Sequence, residues 1–153
     1  IRIARAIKGM NVHLCIIGEL TKDVHDLLKS LGIDYAIHTN LTKAEMLEKY
    51  IESDVLVFPS TYEGFGLPIL EAQTVGRVVV TSNITCMPWV AGKGACLVDP
   101  YSVTSIRDGI ERVINDWQFR EMLIERGYEN VLRFERSTIV GQYESLCRLI
   151  LQS

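Results

Sequence analysis

Short, largely apolar runs rich in β-branched residues recur at positions 12–17, 35–38, 55–58, 78–81 and 95–98. They are apolar throughout rather than alternating, which marks strands buried on both faces. Between them, apolar residues return at helical spacing over 22–31, 43–52, 67–75 and 103–115, and two further helices, at about 118–134 and 138–151, close the chain. Strand alternating with helix predicts right-handed crossovers and an α/β fold, a Rossmann-like, doubly wound parallel sheet flanked by helices. Gly18, Gly32 and Gly76 punctuate the ends of these segments. Residues 2–8 read as the tail of a helix with no strand before it, so the first strand and loop of the fold are expected to be missing.

In open parallel sheets, ligands bind beyond the carboxyl ends of the strands. The loops at 18–21, 39–42, 60–66, 82–88 and 99–102 are therefore the candidates, and the third stands out. It reads Ser60-Thr61-Tyr62-Glu63-Gly64-Phe65-Gly66 and runs into Leu67-Pro68-Ile69-Leu70-Glu71-Ala72. Gly64 and Gly66 allow a tight turn and close approach of backbone to a ligand. Pro68 suits the first turn of a helix, where its missing N–H costs nothing. Free amides of Gly66, Leu67 and Ile69 would then combine with the helix dipole into a phosphate site. Glu63 and Glu71 flank that site. An acid near a helix N-terminus also complements the dipole with no ligand at all. Beside a diphosphate it needs another partner, and a carboxylate takes two O–H donors, the geometry of a vicinal diol. Glu71 is thus a candidate for ribose hydroxyls and Glu63 for sugar hydroxyls.

Composition narrows the picture. The 153 residues are 48% hydrophobic, enough for one self-sufficient domain. The net charge is −3 with Lys and Arg scattered, so nucleic acid is not an expected partner. Cys15, Cys86, Cys96 and Cys147 form no close pair and read as small core residues in a reducing compartment. His13, His25 and His38 lie too far apart to suggest zinc, and no apolar run is long enough for a transmembrane segment. Tyr62 and Phe65 are candidates for core support of the loop. Ile139, Tyr143, Leu146 and Ile150 repeat at helical period, which predicts a last helix packed across the domain.

Glu63-Gly-Phe-Gly-Leu-Pro-Ile-Leu-Glu71-Ala resembles the signature of the retaining family-4 (group 1) glycosyltransferases. The likeness extends over nearly the whole chain, through the segments 12–18, 41–55 and 94–100. It implies one half of a GT-B fold, the C-terminal domain that binds a nucleotide-sugar donor, UDP- or GDP-linked. The partners it implies are an N-terminal Rossmann-like domain, absent from this sequence, and a glycan or lipid-linked acceptor. Glu63 would contact the donor sugar as the catalytic candidate, acting by positioning and electrostatics rather than as a nucleophile. Glu71 would hold the ribose, and the backbone at Phe65, Gly66 and Leu67 would meet the sugar and diphosphate. Ile37, His38 and Thr39 would line the base. No cofactor or metal is implied. The location expected is cytoplasmic, with peripheral attachment to the membrane face through the missing domain. The sequence departs from the family pattern at Thr39, Arg77 and Trp89, and the family's diphosphate-gripping Arg and Lys would lie upstream. Two rivals are a non-catalytic nucleotide-sugar-binding domain and a dinucleotide-dependent oxidoreductase. The second is weakened because Ile69 stands where the fingerprint needs a third glycine.

Overall fold

The computed structural model describes residues 1–151. Its spine is a parallel sheet in the order β3 (Val55–Phe58), β4 (Val78–Ser82), β5 (Ala95–Val98), with Val55 beside Val78 and Val79 beside Ala95. β4 is buried along its whole length, and its side chains divide by parity. Val78 and Val80 enter one apolar cluster with Ala6, Ile106, Ile110, Val113 and Leu123; Val79 enters another with Ile69, Met87 and Val90. Successive strand residues face opposite ways, so the sheet is covered on both sides. One cover is α1 (Arg2–Ala6), α6 (Val103–Asn115) and α7 (Trp117–Val131); the other is α4 (Leu67–Thr74) and α5 (Met87–Ala91).

β1 (His13–Ile17) and β2 (Asp34–His38) form a separate parallel pair, so the single sheet expected from the pattern is divided in two. Both parts face one core, because Val12 and Leu14 pack on the first cluster alongside Val55 and Val57. The strands bordering the division, β1 and β3, contain no fully buried residue. α2 (Lys22–Ser30) links β1 to β2, and α3 (Lys43–Glu52) links β2 to β3. α3 opens with a capping box, in which the Thr42 and Glu45 side chains each accept from the other's backbone amide.

α5 falls where the sequence suggests a loop; at five residues it is too short to show a helical period. The helix expected over 118–134 ends at Val131 and tightens into a 3-10 turn, Leu132–Phe134. α8 (Arg136–Leu151) follows, and it corrects the packing expected of the last helix. None of its described residues is buried; Tyr143, Leu146 and Ile150 are exposed, as is Cys147, which is therefore not a core residue. α8 adjoins the 3-10 turn, where Thr138 Oγ1 donates to the Leu132 carbonyl at 3.0 Å.

Polar groups lock the second cover to α7 of the first. Gln73 Nε2 donates to the carbonyls of Ala91 (3.0 Å) and Gly94 (3.1 Å). Asn130 Nδ2 donates to Gln73 Oε1 (2.8 Å) and to the Val90 carbonyl (2.7 Å). Both side chains are buried, so α4, α5 and α7 are cross-linked through amides that water does not reach.

Candidate functional site

The loop after β3 is held by side chains from the end of β4 and the segment beyond it. Thr81 Oγ1 donates to the Phe58 carbonyl at 2.8 Å, and Ser82 Oγ to the Ser60 carbonyl. Cys86 Sγ lies 3.4 Å from the Glu63 carbonyl and 3.3 Å from that of Phe65. Four carbonyls between Phe58 and Phe65 are thus drawn toward residues 81–86. Thr85 sits at φ 58°, a strained conformation for a β-branched residue, of the kind that concentrates at functional sites. It delivers Cys86 to the start of α5 and the Met87 thioether beneath the glycine turn.

The two glycines serve different ends. Gly66 has φ 101°, and a Cβ there would lie 3.2 Å from Met87 Sδ. Gly64 lies outside the left-handed region, and a Cβ there would meet nothing within 4 Å. Gly66→Ala is expected to cost about 1–2 kcal/mol of folding stability, and Gly64→Ala less than about 0.5 kcal/mol, measured by urea unfolding. Any ligand affinity lost in Gly64→Ala then reports the space in front of the loop, not misfolding.

α4 begins directly at this turn, with Gly66 as its N-cap and Pro68 in its first turn. One expected donor is taken: the Ile69 amide bonds the Gly66 carbonyl at 3.1 Å, because the helix opens with a tight turn. The amides of Gly66, which is buried, and of Leu67, which is exposed, donate to no acceptor among the described residues.

The two acids are each anchored by one oxygen. Glu63, half-buried, accepts from Ser60 Oγ at 2.9 Å on Oε1; the same hydroxyl lies 3.1 Å from the Tyr62 carbonyl. Glu71, exposed, accepts from Tyr50 Oη at 2.7 Å on Oε2. In each carboxylate the second oxygen has no hydrogen-bond partner among the described residues. Tyr50 was not marked by any motif, since nothing in the sequence couples a tyrosine in α3 to an acid in α4.

Ile37 and His38 end β2, in the smaller sheet, and Thr39 follows it. Ile37 lies beside Ile16, the His38 carbonyl accepts from the Gly18 amide at 2.9 Å, and Thr39 is exposed. No hydrogen bond among the described residues joins these three to the 59–71 segment. α3 reaches the 59–71 segment through Tyr50, which bonds Glu71.

Aromatic residues edge the loop. Phe65, Trp89 and Phe134 meet edge to face, with centroids 5.5–6.3 Å apart, and the Arg133 guanidinium lies over Trp89 and Phe134. Trp89 therefore packs by its edge and is still 60% exposed. Tyr62, at 81% exposed, is not core support, whereas Phe65 props the loop against Trp89. Among the described residues, no helix is long and apolar enough to cross a membrane, and no group of three or more His, Cys, Asp or Glu is placed to hold a metal ion.

Comparison with known proteins bears on this arrangement. The chain is 41% identical over 101 residues to an O-antigen chain mannosyltransferase of Escherichia coli, covering 66% of this chain and 26% of that protein. It is 31% identical over 151 residues to a capsular polysaccharide biosynthesis glycosyltransferase of Staphylococcus aureus, covering 95% of this chain and 40% of that protein. It thus spans well under half the length of these relatives. Among solved structures it superposes on a C-terminal domain of a glycosyl transferase group 1 family protein from Francisella tularensis, with TM-score 0.71 and 26% identity, covering 86% of this chain and 76% of that one. It also shares the fold of a sucrose-phosphate synthase from Thermosynechococcus elongatus, with TM-score 0.83 and 20% identity, covering 99% of this chain and 42% of that one. Residues 1–130 match the family described as glycosyl transferases group 1, and the chain belongs to that family.

Proposed function

We propose that this chain binds the nucleotide-sugar donor of a retaining hexosyltransferase that builds a cell-surface polysaccharide or glycolipid. The observation that carries the proposal is the end of α4: amides at Gly66 and Leu67 that donate to no acceptor among the described residues, flanked by two carboxylates that each keep one oxygen without a hydrogen-bond partner there. The amides and the helix dipole suit a diphosphate. Glu71 holds the ribose hydroxyls, Glu63 holds the sugar, and the end of β2 at Ile37, His38 and Thr39 lies along the base.

In this reaction the sugar departs from the diphosphate through an oxocarbenium-like transition state. The acceptor hydroxyl attacks from the face the diphosphate leaves, and its proton passes to the leaving phosphate. Glu63 contributes orientation and a fixed negative charge beside the developing positive one. The helix end takes up charge on the leaving group, shared with cationic side chains from the N-terminal part of the enzyme; no cofactor or metal is required in this scheme. The names of the relatives, in O-antigen and capsule synthesis, support a glycan or lipid-linked acceptor held by that other part. The site of action that follows is the cytoplasmic face of the membrane.

The test is calorimetric titration with UDP-, GDP- and ADP-sugars, their free nucleotides and NAD. One nucleotide series is expected to bind, with the sugar adding affinity over the free diphosphate. NAD binding tighter than UDP or GDP would transfer the fold to hydride chemistry and end the proposal. Residues 1–153 by themselves are expected to bind a donor without turning it over, so robust transfer by them would contradict the division of labour.

A further inference from the structure

We infer that Tyr50 is a positioning residue that sets Glu71 for the paired hydroxyls of a ribose, so that the site separates ribonucleotides from deoxyribonucleotides. The inference rests on the donor-site proposal above and adds a residue from a different helix.

Tyr50 lies in the last turn of α3 and is half-buried, with its ring packed on the second apolar cluster beside Leu56, Phe58 and Leu70. Its hydroxyl donates to Glu71 Oε2 at 2.7 Å. Burial first, and the Glu71 carboxylate second, hold that hydroxyl's pKa well above the usual phenol range. It therefore keeps its proton and stays a donor across the physiological range. A carboxylate only accepts, and with one oxygen engaged by a fixed phenol its plane is set. The other oxygen keeps both lone pairs and the engaged one keeps a second. A vicinal diol presents two O–H donors side by side, and a carboxylate already held in place meets both without freezing its own rotamers on binding.

Tyr50 has a competing structural use, as a strut for α3, a helix with no fully buried residue. A second strut exists. Arg77 Nη2 donates to the Ile51 carbonyl at 2.7 Å, at the end of α3 where a cation also complements the helix dipole. Among the described residues no hydrogen bond or ion pair joins Arg77 to Glu71, so Arg77 separates the two uses.

The experiment is calorimetry on the intact protein. UDP, GDP and ADP identify the nucleotide bound most tightly, and its 2′-deoxy and 3′-deoxy forms are then compared with it. The wild type is expected to bind each deoxy form about tenfold more weakly, the worth of one bond to a charged acceptor. In Tyr50→Phe, which keeps the ring, the ribonucleotide weakens toward its deoxy forms while those change little, so the ratio collapses. Arg77→Met is expected to keep the ratio. A full ratio in Tyr50→Phe, or its loss in Arg77→Met, overturns the role given to Tyr50. Glu71→Asp, which withdraws the carboxylate from an untouched Tyr50, should also lose the ratio, and keeping it there overturns the inference as well. Failure of the donor-site proposal looks different: the wild type would bind none of UDP, GDP and ADP, whereas binding without discrimination of the deoxy forms overturns the inference alone.

Discussion

Glu63→Ala is expected to lower the rate of sugar transfer by about two to three orders of magnitude, the worth of a preorganised electrostatic contact made in the transition state. Binding of the free nucleoside diphosphate should hardly change. Glu63 sits on the loop, anchored through one oxygen by Ser60, with its backbone carbonyl tied to Cys86. The loop therefore holds its course when the side chain is cut back, and the loss is confined to what the carboxylate touches. Glu71→Ala is the counterpart, with the opposite signature. It should weaken free nucleotide and nucleotide-sugar alike, because the ribose is common to both. Initial-rate kinetics of the intact protein, beside titrations with the free diphosphate, separate the two. Equal losses of free-nucleotide affinity in both variants would contradict the division of roles.

The second large effect concerns folding. Gln73→Leu conserves bulk but removes the side-chain donor to the Gly94 and Ala91 carbonyls, leaving Ala91 only the Gly94 amide, and one of the two acceptors of Asn130 Nδ2, all in a buried region. Buried groups left unsatisfied cost about 1–3 kcal/mol each, and those of one network do not add simply. A loss of about 2–4 kcal/mol is expected, read as a shift in the urea midpoint, with a fall in Tm of roughly 5–15 °C for a domain of this size. A change below about 1 kcal/mol would show that water or repacking satisfies the freed groups. The damage should extend to the site, because the same network continues through Arg133, which donates to Asn130 Oδ1 at 2.7 Å, to Trp89 and the aromatic group beside the loop.

Much of this was legible in the sequence, for physical reasons that differ between elements. The strands 55–58 and 95–98 could be bounded to the residue because they are apolar on both faces and end at polar or turn-forming residues. The stretch 60–72 stood out because Gly, Pro and paired acids together have few structural uses. Pattern alone does not state which strands pair, so the division between β2–β1 and β3–β4–β5 was hidden. α5 was hidden by its length, and the bonded Ile69 amide by the tightness of a single helical turn. The apolar period of α8 was visible, but whether the chain itself would cover that face was not. Tyr50 was the largest omission. Its role depends on a contact between two helices, and no local spacing encodes it.

The divided sheet has a consequence for how a ligand would act on the molecule. The loop of Glu63 is tied to β4, which has neighbours on both edges and cover on both faces, whereas residues 37–39 lie at the end of a pair of strands that, among the described residues, ladder only to each other. A nucleotide reaching from one to the other would span a seam that no backbone ladder crosses. It would serve as a clasp as well as a substrate, so that occupancy and the coherence of the domain rise together.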